Sequence, residues 1–205
     1  MGTIGLVLYR DLGVGRGQRE LRRLAATPGP LISVYSLIDR IGPIPGTPPE
    51  RQAYNDLLVD ADGVVRRDLV HVRGQGPAGV ALPLRLLEHW HGPSIRPLRA
   101  RLEADPFALD ALERRSGGYS DLDDSGLQRL LAFHRPGTIQ SWSLRALLAG
   151  QVPLERLRGT IVLIGSRAPS LRDAFPVPFG RQPWSQAAPR MAAVDLHAQI
   201  GRAHV

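Results

Sequence analysis

The 205-residue chain is 43% hydrophobic and 22% charged, which suits one substantial core at about 150 residues per domain and excludes a largely disordered polymer. It contains no cysteine, so disulfide frameworks, thiolate metal sites and cysteine nucleophiles are ruled out, and no apolar run is long enough to read as a membrane span. The net charge is +7, and all 26 basic residues are Arg. They are scattered as singles and doublets (Arg22-Arg23, Arg66-Arg67, Arg114-Arg115) without a basic tract or interleaved aromatics, so no nucleic-acid partner is expected.

The apolar run at residues 4–9, a Gly-rich turn, Leu21, Leu24 and Ala25 at helical spacing, and a second run at residues 31–35 predict a βαβ unit with parallel strands. Residues 41–49, IGPIPGTPP, are too Pro-rich for regular structure and read as a surface connection. Asp62-Gly63 between two apolar runs predicts a hairpin, whose second strand mixes Val with Arg66, Arg67 and Asp68. That mixture predicts an edge strand or one beside a polar site. A helix is predicted from Pro83 through Trp90, stopping at Gly92-Pro93, and another from Asp105 to a stop before Gly117-Gly118. Residues 127–133 suit a strand or a short helix. Ser141 or Ser143 is expected to cap a helix carrying Leu144, Leu147 and Leu148 and closing at Gly150. The unalternating run at residues 161–164, bounded by Gly159 and Gly165, predicts a central strand covered on both faces. Residues 174–190 read as a Pro-rich loop and residues 191–199 as the start of a last helix. The expected class is α/β, a single domain with a central, partly parallel mixed sheet, flanking helices and a β-hairpin.

Several constellations suggest chemistry and fall short. Gly13, Gly15 and Gly17 sit between strand and helix as in a dinucleotide loop, but Gln18 stands where the third spaced glycine belongs. Asp121, Asp123, Ser125 and Gly126 copy the first half of a calcium loop, yet its twelfth position is Ala132. Asp60-Ala61-Asp62-Gly63 fits no better, and both read as acid-rich turns. His89 and His91 lack the i, i+4 spacing of a helical metal pair. Neither a cofactor nor a metal is expected. Ser166, Asp173 and His197 are the residue types of a hydrolytic triad, but GSRAPS is not a nucleophile elbow. A soluble α/β hydrolase using those three is the alternative function.

Taken in order, IGLVLYRDLGV, VDADGVVRRDLV, GGYSDLDDSGLQRLL, a leucine helix with GQVP, LRGTIVLIGSRAPSLRDAFPVPF and AVDLHAQI resemble the type-2 CHASE domain. This is the extracytoplasmic sensory domain that bacterial receptors join through membrane helices to cyclases or kinases. The resemblance implies a non-enzymatic sensory domain over residues 1–199, taking a small-molecule or environmental signal. It also implies membrane anchoring in the intact protein and a cytoplasmic effector domain elsewhere in that protein; the assembly state stays open, a homodimer among the options. The sequence is expected to be a fragment with membrane helices beyond it, and residues 200–205 (IGRAHV) to be a non-native tail. No ligand or site residue is carried over from the family. Because ligands of open parallel sheets lie beyond the strand C-termini, the expected signal site is Ser166 and Arg167, with Asp173 and His197 nearby. A helix starting after Ser166 would offer N–H groups to an anion.

Overall fold

The structure, a computed structural model, describes residues 2–10, 15–72, 79–92, 111–123, 125–134, 138–178 and 189–202. In chain order the elements are β1 (Thr3–Leu6), α1 (Gln18–Ala26), β2 (Leu31–Tyr35), β3 (Gln52–Tyr54), β4 (Leu58–Val59), β5 (Val65–Val72), α2 (Leu82–His91), β6 (Gly126–Leu130), α3 (Leu144–Leu148), β7 (Ile161–Ile164), β8 (Ala174–Pro176), β9 (Arg190–Ala192) and α4 (Ala193–Arg202).

Four strands form a parallel sheet in the order β3-β2-β1-β7. The chain therefore leaves β1 in one direction, toward β2 and β3, and returns to its other side only with β7. That reversal makes the gap between β1 and β7 the topological switch point. The three apolar runs predicted to share a sheet do so, and the first two are joined by α1 as a βαβ unit. Thr3, Gly5 and Val7 face α2 together with Ile32, Val34 and Ala53, and Leu82 and Leu86 of α2 close this core. Each of these buried aliphatic side chains contributes roughly 2 kcal/mol. Gly5 leaves space that this packing uses, since a Cβ there would sit 2.8 Å from Leu163 Cδ2 and 3.1 Å from Leu86 Cδ2.

β7 corrects an expectation. It is an edge strand of partial exposure, with Ile164 37% accessible, because an apolar run fixes neither which strands flank the backbone nor how fully both faces are covered. The connection at residues 41–49 is also more than a surface loop. Ile44 and Thr47 are buried, and Ile44 N donates to Ser33 Oγ at 2.8 Å, covering the sheet face opposite Ile32 and Val34.

A second sheet is antiparallel, in the order β4-β5-β6. Its hairpin turns at Asp62-Gly63, where Gly63 has φ +80, a left-handed conformation that glycine adopts without steric cost. β5 is the central strand here rather than an edge strand. Its polar residues have another reason, described below. Residues 127–130 resolve as strand. Leu112 N donates to Gln128 O at 2.8 Å, so residues 111–115 run irregularly beside β6 instead of ending a helix; residues 105–110 of that predicted helix lie outside the described ones, as does Gly13. α2 follows its prediction, with Pro83 in its first turn and Gly92 (φ +62) at its end.

The predicted loop 174–190 holds β8 and the first residue of β9, which pair antiparallel. The last helix accordingly starts at Ala193, not Met191. Three-residue strands, one containing Pro176, carry too little alternation to be read as strands. α4 continues past residue 199, and Ile200 is 1% exposed.

Candidate functional site

Two polar clusters stand out, and they differ in how completely their groups are paired. The first surrounds the hairpin. Asp60 accepts from Arg66 Nη1 at 2.9 Å, Arg67 Nε at 2.8 Å and Tyr119 Oη at 3.0 Å. Asp62 accepts from both Arg66 Nη atoms at 2.7 and 2.6 Å, and its Oδ1 also caps Val64 N. Arg67 stacks over the Tyr119 ring at 4.9 Å and donates to Gln128 Oε1. Burial works against the charge of Asp60, but its three donors win and hold its carboxyl below the usual range. The exposed Asp62 carboxyl drops to about 2, chiefly through Arg66. The DADGVVRR motif is thus a clamp that fixes the Tyr119 segment onto β5. The neighbouring calcium-like residues are also turn-makers: Asp121 pairs with Arg114 at 2.7 Å, and Asp123 Oδ1 accepts from Ser125 N at 2.9 Å. Among the described residues, no group of three His, Asp or Glu side chains is arranged to hold a metal ion.

The second cluster lies where β1, β2, β3 and β7 end. Tyr9 follows β1, Ser36 follows β2, Asn55 and Asp56 follow β3, and Gly165, Ser166 and Arg167 follow β7. Asp56 organises the turn after β2, accepting from Ser36 Oγ at 2.6 Å, Leu37 N at 2.8 Å and Ile38 N at 3.2 Å. Burial pushes the Tyr9 hydroxyl up to about 12; a hydrogen bond with Ser36 opposes that shift, and the Asp56, Asp39 and Asp173 charges add to it. Asp173 itself is raised by burial, and among the described residues no hydrogen bond or ion pair holds its carboxylate.

α4 closes this end. A Cβ on Gly165 would lie 2.6 Å from Val194 Cβ, so the helix approaches the end of β7 closely only because that position is glycine. Arg167 holds Asp195 through Nε at 2.9 Å and Nη2 at 2.5 Å and reaches Ser141 Oγ at 3.3 Å. Gln199 Oε1 accepts from His134 N at 2.9 Å, and Leu196 is fully buried in a cluster with Val65 and Val177. His197 is 2% exposed, and neither ring nitrogen has a hydrogen-bond partner of good geometry. Burial lowers its pKa to about 4, against the Asp68 charge, the Asn55 backbone and the Asp56 charge. Asn55 Oδ1 is likewise buried without a partner. Asp68 explains the polar character of β5: it is buried opposite Arg129 of β6, whose Nε lies 3.8 Å away.

The four residues singled out from sequence sit on the segments that meet at this end of the fold, though not as a triad. Ser166 Oγ accepts from Ala168 N at 3.1 Å, Arg167 is occupied by Asp195, and no hydrogen bond links Ser166, Asp173 and His197. The expected helix after Ser166 is only a three-residue 3-10 turn, Pro169–Leu171, too short to gather N–H groups around an anion. Tyr9, Ser36, Asn55 and Asp56 escaped the sequence reading. The available signal was position, since each follows a strand of the parallel sheet by one to three residues.

With this geometry in view, the family profile of the CHASE2 domain matches residues 2–203. The chain belongs to the CHASE2 domain family. CHASE2 is a family of extracytoplasmic sensory domains. No curated protein and no solved structure matches the chain. Among the described residues, no helix is long and apolar enough to cross a membrane.

Proposed function

We propose that this CHASE2 domain is the signal-binding part of a membrane-anchored bacterial receptor and takes a small polar molecule at the switch-point end of its parallel sheet. The support that carries most weight is the family match over residues 2–203; the position of the site rests on the buried Asn55 and His197 side chains at that end, whose polar atoms lack well-formed hydrogen bonds. Asp39, Asp56 and Asp173 surround Tyr9, while the nearby Arg167 is neutralised by Asp195. That balance favours a neutral or cationic signal over an anion.

Binding acts on the receptor only by favouring one of two states. α4 is the element placed to report it, because its first turn borders the site through Asp195 and its buried face reaches both sheets. A cytoplasmic effector domain elsewhere in the intact protein would receive this change. The test is calorimetric titration of the purified chain with a panel of small amines, sugars and amino acids. A ligand whose binding is lost in Asp173→Asn and in Tyr9→Phe, both still folded, supports the reading. A ligand that binds both variants as well as the wild type overturns the site.

A further inference from the structure

Between β6 and β7 the chain displays apolar side chains that the fold does not use. α3 buries none of its residues, and Leu144 is 61%, Leu147 36% and Leu148 79% exposed. Their i, i+3, i+4 spacing puts them on one stripe. Trp142 is 38% exposed just before the helix, and Leu154 60% exposed just after it.

The segment is anchored and does not simply fray outward. Ser143 Oγ accepts from Ala146 N, Gln151 N donates to Ala146 O, and Val152 between Leu148 and Leu154 is 4% exposed. Exposed large apolar residues spaced closely along an anchored segment mark a contact surface.

The charge around it indicates what that surface meets. Residues 139–172 contain five arginines and a single acid, Glu155. Arg145, Arg156 and Arg158 are exposed and have no ion-pair partner among the described residues. Trp and Leu that enter the headgroup region, with Arg reaching back to phosphates, are the composition of an interfacial membrane contact. A second copy of the same surface would instead bring arginines against arginines.

We propose that the α3 segment, Trp142 to Arg158, docks on an anionic phospholipid surface, with the leucine stripe inserted and the arginines on the headgroups. The inference rests on the membrane-receptor context of the reading above, which places this domain beside a bilayer. It concerns a different surface from the signal site.

The test is co-sedimentation of the full chain with phosphatidylcholine vesicles, with and without phosphatidylglycerol. Trp fluorescence serves as a second readout. Binding is expected only with phosphatidylglycerol present, and it should fall roughly tenfold or more in Leu148→Glu/Leu154→Glu and in Arg156→Glu/Arg158→Glu, with circular dichroism unchanged. Failure of wild-type protein to bind either vesicle overturns the proposal. So does unchanged binding by the leucine variant, which would mean diffuse attraction of a basic protein. A concentration-dependent dimer that Leu148→Glu dissolves would assign the stripe to self-association and equally overturn it. None of these outcomes touches the signal-binding reading, which stands or falls on ligand titration of the Asp173 and Tyr9 variants.

Discussion

At the hairpin, Asp60 and Asp62 meet Arg66, Arg67 and Tyr119, and each of these carboxylates accepts several donors. At the switch-point end, by contrast, the His197 ring is buried with no hydrogen bond of good geometry, Asn55 Oδ1 is buried without a partner, and Asp173 is raised by burial with no opposing donor. Both clusters draw on Asp and aromatic residues close to strand ends. The difference is satisfaction. A fully paired network stabilises and has nothing left to recognise a ligand with, whereas unsatisfied buried groups are costly and call for an explanation. The proposed signal site supplies one.

The sharpest way to break this comparison is at the clamp. Asp60→Ala removes the common acceptor of two arginines and a tyrosine while Arg67 remains 12% exposed, so the fold should lose about 3 kcal/mol in urea unfolding. A loss under about 0.5 kcal/mol, typical of an ordinary surface change, would mean that the clamp is not structural.

His197 gives an effect of similar size that depends on pH. Its pKa is about 4 in the fold against an ordinary 6.5, so the unfolded chain binds the extra proton between those values. The stability associated with neutral His197 is therefore complete above pH 6.5 and declines as pH falls toward 4, by about 3 kcal/mol in total. Unfolding measured across that window should be distinctly flatter for His197→Gln than for the wild type. Parallel curves would contradict the burial of a neutral ring.

Much of the parallel sheet could be read from sequence because residues 4–9, 31–35 and 161–164 are apolar runs bounded by glycine and proline, and Asp62-Gly63 has turn chemistry of its own. The order of strands could not be read, so β7 was expected at the centre and lies at an edge. β8 and β9 are too short for a period to show. Of the proposed site, the rule that ligands gather beyond strand C-termini picks out Ser166 and Arg167, with Asp173 and His197 expected nearby. Tyr9, Ser36, Asn55 and Asp56 are brought beside them only by parallel pairing among segments far apart in the chain.

Smaller effects sharpen the account of α4. Gly165→Ala would place a methyl group 2.6 Å from Val194 Cβ, and the overpacking should cost about 2 kcal/mol, with faster hydrogen exchange in α4. Exchange confined to the hairpin would contradict the contact. Arg167→Ala should change stability least, by less than about 1 kcal/mol, because its ion pair with Asp195 is largely exposed and screened by solvent.

The central claim is that the unsatisfied end of the parallel sheet, and not the clamp, binds small molecules. It is tested most directly by a fragment screen on isotope-labelled protein, reading amide shifts residue by residue. The account predicts perturbations concentrated at Tyr9, Ser36, Asn55, Ser166 and Asp173, with the hairpin amides unmoved. Fragments that shift Asp60, Arg66 and Tyr119 while leaving the switch-point residues unchanged would contradict it.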